Sequence, residues 1–130
     1  IKNIYAMVIG AGQSLNMSSS LFQKSLLEMK YLTKYFNGKE TTVESLAGVG
    51  DLYVSAAGGR NSKMGDYLGK GFTFKSAKKK FMFKDTVEGE QLAREIGPFI
   101  FKKINLQKIP LMINLLRSLL KNKKLNLKKL

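Results

Sequence analysis

The sequence predicts a single all-α domain of about six helices, and three observations support this fold class. Apolar residues recur at intervals of three and four along much of the chain, which is the spacing of one helix face. No segment has the clear pattern of a β-strand, and no internal repeat is present. A chain of 130 residues with 44% hydrophobic residues is large enough to bury one sizeable core.

The first sixteen residues allow two interpretations. They could form a strand that runs into the glycine-rich turn of a dinucleotide-binding domain. That turn needs Gly or Ala where this chain has Leu15, and no later segments supply the further strands of a parallel sheet. The apolar residues fall instead at helical spacing, at Ile4, Val8, Ala11 and Leu15. We therefore predict a buried helix whose Gly10 and Gly12 let a neighbouring helix approach closely.

A long helix is predicted next, with its N-cap among Ser18 to Ser20 and its end at Asn37-Gly38. Its apolar face is expected to contain Phe22, Leu26, Met29, Thr33 and Phe36. The residues from Thr41 to Ser45 then predict a short helical turn that leads to Gly48. The stripe of Met and Phe residues indicates a core contact and not a cofactor site.

Three short segments follow. Arg60 to Leu68 predicts a helix stopped by Gly69-Lys-Gly71, and the lysines between Phe72 and Phe83 indicate the solvated face of another. A helix from Thr86 to Ile96 begins with acidic residues, which are favourable near a helix N-terminus. Pro98 is predicted to break or kink that helix.

Pro110 is predicted to begin the last helix. Its apolar face is expected to contain Leu111, Leu115, Leu116, Leu119 and Leu120. The residues from Lys121 to Leu130 are expected to trail away as a basic tail. The formal net charge is +14, and nine Lys or Arg residues with no acid lie between Ile100 and Leu130. This charge could attract nucleic acid or an anionic membrane, or the tail could be a solvated block of like charge.

The residue types present exclude several classes of site. The chain has no Cys and no His, which excludes disulfides, thiolate metal sites and the usual general base. No stretch approaches the roughly 20 apolar residues of a membrane-spanning helix, and Ile1 to Gly12 lacks the order of a secretory signal. We expect a soluble cytoplasmic fragment whose N-terminal part lies outside this sequence.

The stretch from Gly48 to Asn61 contains four glycines and side chains that could meet a charged ligand. Glycines let backbone amides approach a ligand, and Arg60 offers a planar fork suited to phosphate beside the donor and acceptor of Asn61. An exposed arginine after a glycine turn is the simpler alternative. Asp51 and Ser55 are one helical turn apart and could line one side of a site, or Asp51 could cap the helix after Gly50. Lys2 is a candidate proton donor because the chain has no histidine.

Four motifs occur in a familiar order, namely Lys2-Asn-Ile-Tyr-Ala, Leu46-Ala-Gly-Val-Gly-Asp-Leu, Gly59-Arg-Asn and Thr86-Val-Glu-Gly. In these motifs the chain resembles the C-terminal domain of NAD(P)-dependent glycerol-3-phosphate dehydrogenases. The likeness covers residues 1 to about 98. It implies a helical domain like the C-terminal domain of 6-phosphogluconate dehydrogenase. It also implies NAD or NADP as cofactor, and a reaction between dihydroxyacetone phosphate and sn-glycerol 3-phosphate that feeds glycerophospholipid synthesis.

The resemblance assigns roles to eight positions. Lys2 matches the proton-transferring lysine and also contacts substrate, and Asp51 matches the aspartate of the substrate pocket. Arg60 and Asn61 match the pair that meets substrate phosphate, and Arg60 also meets the cofactor. Ser55 stands where the family usually has Thr, and Gly59 could contribute its amide to the substrate. The positions near the cofactor are Thr86 and Glu88.

The resemblance also implies what this chain lacks. The family's dinucleotide-binding Rossmann domain is absent from residues 1–130, so the fragment alone is expected to lack useful cofactor affinity and activity. Apolar faces left by that domain could promote association, including a homodimer. The alternative from another class is a basic helical module that binds nucleic acid or anionic membrane through Lys78 to Lys80 and the tail.

Overall fold

The computed structural model describes residues 1–130 and contains eight α-helices and no strand, so the predicted all-α class is confirmed. Two short helices on either side of Gly48, Glu40–Val43 and Asp51–Gly58, bring the number above the predicted six. A π-helix, Leu46–Gly50, precedes α4, and two 3-10 turns occur at Leu106–Lys108 and Leu127–Lys129. The α-helices are α1 Lys2–Ala11, α2 Ser18–Tyr35, α3 Glu40–Val43, α4 Asp51–Gly58, α5 Arg60–Gly69, α6 Phe74–Phe81, α7 Glu88–Lys103 and α8 Pro110–Leu120.

Helix α1 is buried, as the sequence predicts, and it forms the centre of the domain. It ends at Ala11, so Leu15, which was predicted to lie on its apolar face, is outside the helix. Every residue from Ile4 to Ala11 is buried, and α1 contacts α2, α4, α5, α7 and α8. The closest neighbour is α5. A Cβ atom on Gly10 would lie 2.1 Å from the carbonyl oxygen of Ser62, and one on Gly65 would lie 2.0 Å from that of Met7. Only glycine permits this approach of the two backbones, which fixes α5 against α1.

Helix α2 packs through a face that overlaps the predicted one but is shifted from it. Phe36 is 51% exposed and Phe22 is half-buried, whereas Leu21, Ser25, Glu28 and Leu32 are buried. Of the predicted face, only Met29 is buried. Phe22 and Leu26 are partly buried against the core, so the prediction was right in part. It missed the shift of the buried face toward Ser25 and Glu28, because it selected only apolar residues.

The buried carboxylate of Glu28 caps the start of a distant helix. It accepts hydrogen bonds from the backbone N–H of Leu111 at 2.8 Å and of Met112 at 3.1 Å, in the first turn of α8. The hydroxyl of Tyr5 donates to the same carboxylate at 2.9 Å. An acid from α2 thus satisfies amide groups that the start of α8 leaves unpaired, and it ties α1, α2 and α8 together.

Three smaller predictions about helix ends were wrong, one of them in part. Ser18 lies inside α2, and the N-cap residue Met17 makes no side-chain hydrogen bond. Pro98 does not break α7, which continues to Lys103, so of the two predicted effects only a kink stays a prediction. The last ten residues do not trail away, because Leu125 is 5% exposed and the carbonyl of Leu130 accepts a hydrogen bond from Lys24. No helix combines the length and apolarity that crossing a membrane would require.

Candidate active site

The structure places Lys2 beside Asp51. Lys2 begins α1 and Asp51 begins α4, and their charged groups are 3.6 Å apart, from Nζ to Oδ2. The two side chains are 45% and 52% exposed, so both charges remain in contact with solvent. Gly50 precedes α4 as its N-cap residue and the cap involves no side-chain bond, so Asp51 is not acting as a capping residue. Its carboxylate is available to Lys2 and to a ligand.

Arg60 and Asn61 open α5, as predicted, and both face the start of α7. Arg60 Nη2 lies 2.5 Å from Glu88 Oε1, and the amide nitrogen of Asn61 lies 3.5 Å from Glu88 Oε2. The side-chain oxygen of Asn61 has a different partner, since Oδ1 accepts a 2.7 Å hydrogen bond from the N–H of Gly89. Asn61 is only 7% exposed, whereas the Arg60 side chain is 53% exposed. Arg60 can therefore reach a ligand, and Asn61 mainly fixes the first turns of α5 and α7.

The start of α7, which carries Glu88, packs against the start of α1, which carries Lys2. A Cβ on Gly89 would lie 3.0 Å from the carbonyl oxygen of Asn3 and 2.8 Å from Asn61 Oδ1. Gly89 therefore sits between α1 and α5, and Asn3 is the neighbour of Lys2. The sequence showed that a glycine, Gly89, follows Glu88. It could not show that this glycine packs against Asn3 and Asn61.

The glycines between Gly48 and Asn61 have different structural roles. A Cβ on Gly48 would lie 2.1 Å from the carbonyl oxygen of Val43, so Gly48 serves the packing of α3 against the π-helix. Gly58 has nothing within 4 Å of its Cβ position, and Gly59 has an extended backbone with only the Ser55 carbonyl nearby, at 3.1 Å. Close packing therefore explains why position 48 is a glycine, whereas no packing contact requires a glycine at position 58.

The remaining predicted residues lie on the same elements. Ser55 is half-buried on α4, one turn after Asp51, and its carbonyl accepts the N–H of Gly59 at 3.3 Å. Thr86 is exposed two residues before α7, next to the segment that carries Glu88. No group of three Asp or Glu side chains is positioned to hold a metal ion. Seven of the eight predicted residues thus lie on or beside the N-terminal ends of α1, α4, α5 and α7, and Ser55 lies in the second half of α4.

Comparison with known protein families gives a match over residues 1–127 to the model described as "NAD-dependent glycerol-3-phosphate dehydrogenase C-terminus". The chain belongs to the glycerol-3-phosphate dehydrogenase C-terminal family. The resemblance in the four motifs is thereby confirmed at the level of the family.

Individual relatives agree with this membership. The glycerol-3-phosphate dehydrogenase [NAD(+)] 1 of Schizosaccharomyces pombe is 27% identical over 118 residues, which are 85% of this chain and 31% of that protein. An NAD(P)+ enzyme of Lactobacillus delbrueckii is 36% identical over 85 residues, or 61% of this chain and 25% of the relative. The crystal structure of the glycerol-3-phosphate dehydrogenase from Coxiella burnetii superposes with a TM-score of 0.81 and 28% identity. That match covers 95% of this chain and 39% of the crystallised one, so the chain spans well under half the length of these relatives.

Proposed function

We propose that this chain is the substrate-binding and catalytic half of an NAD(P)-dependent glycerol-3-phosphate dehydrogenase. The proposed reaction interconverts dihydroxyacetone phosphate and sn-glycerol 3-phosphate. The observation that carries the proposal is the Lys2–Asp51 pair at the starts of α1 and α4 together with the Arg60–Asn61–Glu88 group at the starts of α5 and α7, since Gly89 of α7 packs against the start of α1. A cationic proton donor and a phosphate-binding fork beside one another are what a phosphorylated carbonyl substrate requires.

The proposed chemistry assigns one demand of the reaction to each side chain. When a hydride reaches the central carbon of dihydroxyacetone phosphate, the carbonyl oxygen must gain a proton, which the Lys2 ammonium gives up as it becomes a neutral amine. Asp51 holds Lys2 in position from 3.6 Å and accepts a hydrogen bond from a substrate hydroxyl. Ser55 offers a second hydroxyl partner on α4. The result is an alcohol at the central carbon.

The substrate phosphate is assigned to the start of α5. Arg60 uses part of its fork for Glu88 and keeps other N–H groups for phosphate oxygens. The amide nitrogen of Asn61 adds a donor there, while Asn61 Oδ1 stays with Gly89. The N–H of Gly59 donates to the carbonyl of Ser55 at 3.3 Å, so Gly59 contributes an open backbone beside Arg60 and not a free amide. The dipole at the start of α5 also favours an anion.

NAD or NADP would be held partly by Arg60, Thr86 and Glu88 and supplies or accepts the hydride when bound. These residues fit the hydrogen-bonding groups of a dinucleotide. The carboxylate of Glu88 can accept from an amide or a hydroxyl, and Arg60 can donate to a phosphate. The remaining cofactor contacts belong to a dinucleotide-binding domain that residues 1–130 do not contain.

A larger assembly is part of the proposal. Leu46, Tyr53 and Val54, which lie within five residues of Asp51 in the chain, are 83%, 68% and 71% exposed on the π-helix and α4. We assign these apolar side chains to contact with the dinucleotide-binding domain or with a second copy in a homodimer. A cytoplasmic location also belongs to the proposal, and fluorescence microscopy of the tagged full-length polypeptide would test it.

A domain exchange tests the function. Residues 1–130 replace the matching domain of the Coxiella burnetii enzyme, and reduction of dihydroxyacetone phosphate is followed through the absorbance of the nicotinamide. We expect turnover that depends on the phosphorylated substrate and is absent with unphosphorylated dihydroxyacetone. A chimaera that is helical, binds the cofactor and shows no turnover, beside an active parent enzyme, would contradict the proposal.

A further inference from the structure

We propose that a basic pocket between α8 and the C-terminal segment binds a small anion that bears two or more phosphates. The pocket has a volume of about 430 Å³ and is bounded by the 3-10 turn Leu106–Lys108, by α8 and by the segment from Lys123 to Lys129. Four cationic side chains line it, and no acidic residue does; the cations are Arg117, Lys123, Lys124 and Lys129. The pocket shares no residue with the candidate active site, so the proposal stands apart from the dehydrogenase function.

The walls of this pocket are fixed by hydrogen bonds between α8 and the segment that follows it. Asn114 donates to the carbonyl of Asn126 at 2.9 Å and accepts from its N–H at 3.2 Å. The hydroxyl of Ser118 donates to the carbonyl of Lys123 at 2.7 Å. Leu125 is buried between these two attachments. The chain therefore folds its basic end back over α8 and builds a concave surface there.

The charges in the pocket lack counterions within the chain. None of its four cations takes part in an ion pair, although five ion pairs occur elsewhere. Like charges held together by a fold are unfavourable, and a bound anion relieves the repulsion. The specific attachments through Asn114 and Ser118 therefore keep the cations together against their mutual repulsion.

The class of ligand follows from charge and size. An arginine fork and lysine ammonium groups are the usual partners of phosphate oxygens, and Gln107 adds an amide donor. The volume lies in the range of small-molecule sites, about 300 to 1,000 Å³. A single phosphate carries a charge of about −1.5 to −2 and would leave at least about half of the charge of the four cations uncompensated. The three bounding segments suit a compact polyanion better than a long polymer.

Isothermal titration of the 130-residue chain with sodium tripolyphosphate tests the proposal. We expect saturable binding to the pocket with one ligand per chain. The exposed pair Arg117→Ala and Lys124→Ala should weaken this binding by about tenfold or more, since two charged contacts are lost. The matched pair Lys34→Ala and Lys79→Ala removes the same charge from exposed positions elsewhere and should change the affinity by less than about twofold.

Arg60→Ala separates this pocket from the proposed substrate site. Tripolyphosphate binding that is lost with Arg60→Ala and kept in the pocket variant would overturn the pocket proposal while leaving the dehydrogenase proposal intact. An equal loss in both double variants, or no saturable binding at all, would also overturn it. Circular dichroism checks each variant for helix content, and Arg117→Gln repeats the test if the double variant unfolds.

Discussion

The backbone N–H of Gly89 donates a 2.7 Å hydrogen bond to Oδ1 of Asn61, which joins the first turn of α7 to the first turn of α5. Both residues are buried, and Asn61 is 7% exposed. The same two turns carry Glu88 and Arg60, whose side chains pair at 2.5 Å. One buried amide contact thus holds an exposed ion pair at the candidate active site.

Asn61→Ala should lower the free energy of unfolding by about 1 to 3 kcal/mol, because the N–H of Gly89 loses its partner while remaining buried. Urea unfolding followed by circular dichroism measures the change. Gln91→Ala, at an exposed position on α7, is the control and should stay within about 0.5 kcal/mol. Equal stability of the Asn61 variant and the control would show that this contact does not hold the two turns.

Two glycine substitutions should change stability in opposite directions. Gly65→Ala should destabilise by at least about 1 to 3 kcal/mol, since its Cβ would lie 2.0 Å from the carbonyl oxygen of Met7. Gly58→Ala places its Cβ in open space at the end of α4 and should stabilise by up to about 0.5 to 1 kcal/mol. Thermal melts of both variants would measure this. Destabilisation by Gly58→Ala would mean that the fold itself needs that glycine.

The sequence predicts the architecture well where the pattern is local. The run of apolar residues in α1 together with Gly10 indicated a buried helix with a close neighbour, and α5 occupies that position. The turn after α5 also follows its sequence signal, because Gly71 has a positive φ of 98° that glycine adopts without strain. Local composition determines such features, so one stretch of sequence is enough to predict them.

Features that depend on distant partners could not be predicted. The burial of Glu28 depends on the amides of Leu111 and Met112, more than eighty residues away in the chain. The folded C-terminal segment depends on Asn114 and Ser118, which the helical pattern presents only as polar residues of α8. In the candidate site, the motifs predicted which residues to consider. They did not predict that Lys2 pairs with Asp51 or that Asn61 bonds to Gly89, because these contacts depend on the packing of α1, α4, α5 and α7.

The stability should depend on pH through Glu28. Burial raises the pKa of Glu28 above its ordinary value of 4.5, and the hydrogen bonds from Leu111, Met112 and Tyr5 oppose this without cancelling it. The folded state therefore binds the proton more tightly than the unfolded state does. The contribution of Glu28 to stability is fully present below pH 4.5 and declines as the pH rises through the raised pKa.

Urea unfolding of the wild type and of Glu28→Gln across this pH range isolates the effect, since the other carboxylates are common to both proteins. The stability of the wild type relative to the variant should fall as the pH increases from about 4.5 to neutral. A difference that stays constant, or rises with pH, would contradict the assignment of a raised pKa to Glu28.

Arg60→Ala should chiefly weaken the binding of phosphorylated substrate in an active full-length enzyme or chimaera. The loss of a charge-assisted contact should lower kcat/KM by roughly ten- to a hundredfold, mostly through KM. Arg94→Ala is the control, because Arg94 is an equally exposed arginine on α7 that pairs with Glu90. Unchanged KM and kcat in the Arg60 variant would remove this residue from phosphate binding.

The turnover of Lys2→Ala tests the central claim most directly. Measured as kcat for dihydroxyacetone phosphate in the same active protein, it should fall by about 10² to 10⁴, since the carbonyl oxygen loses its proton donor. Lys34→Ala, an exposed lysine on α2, should keep the parental kcat. A kcat for Lys2→Ala within about twofold of the parental value would contradict the proposal that Lys2, held beside Asp51, transfers the proton.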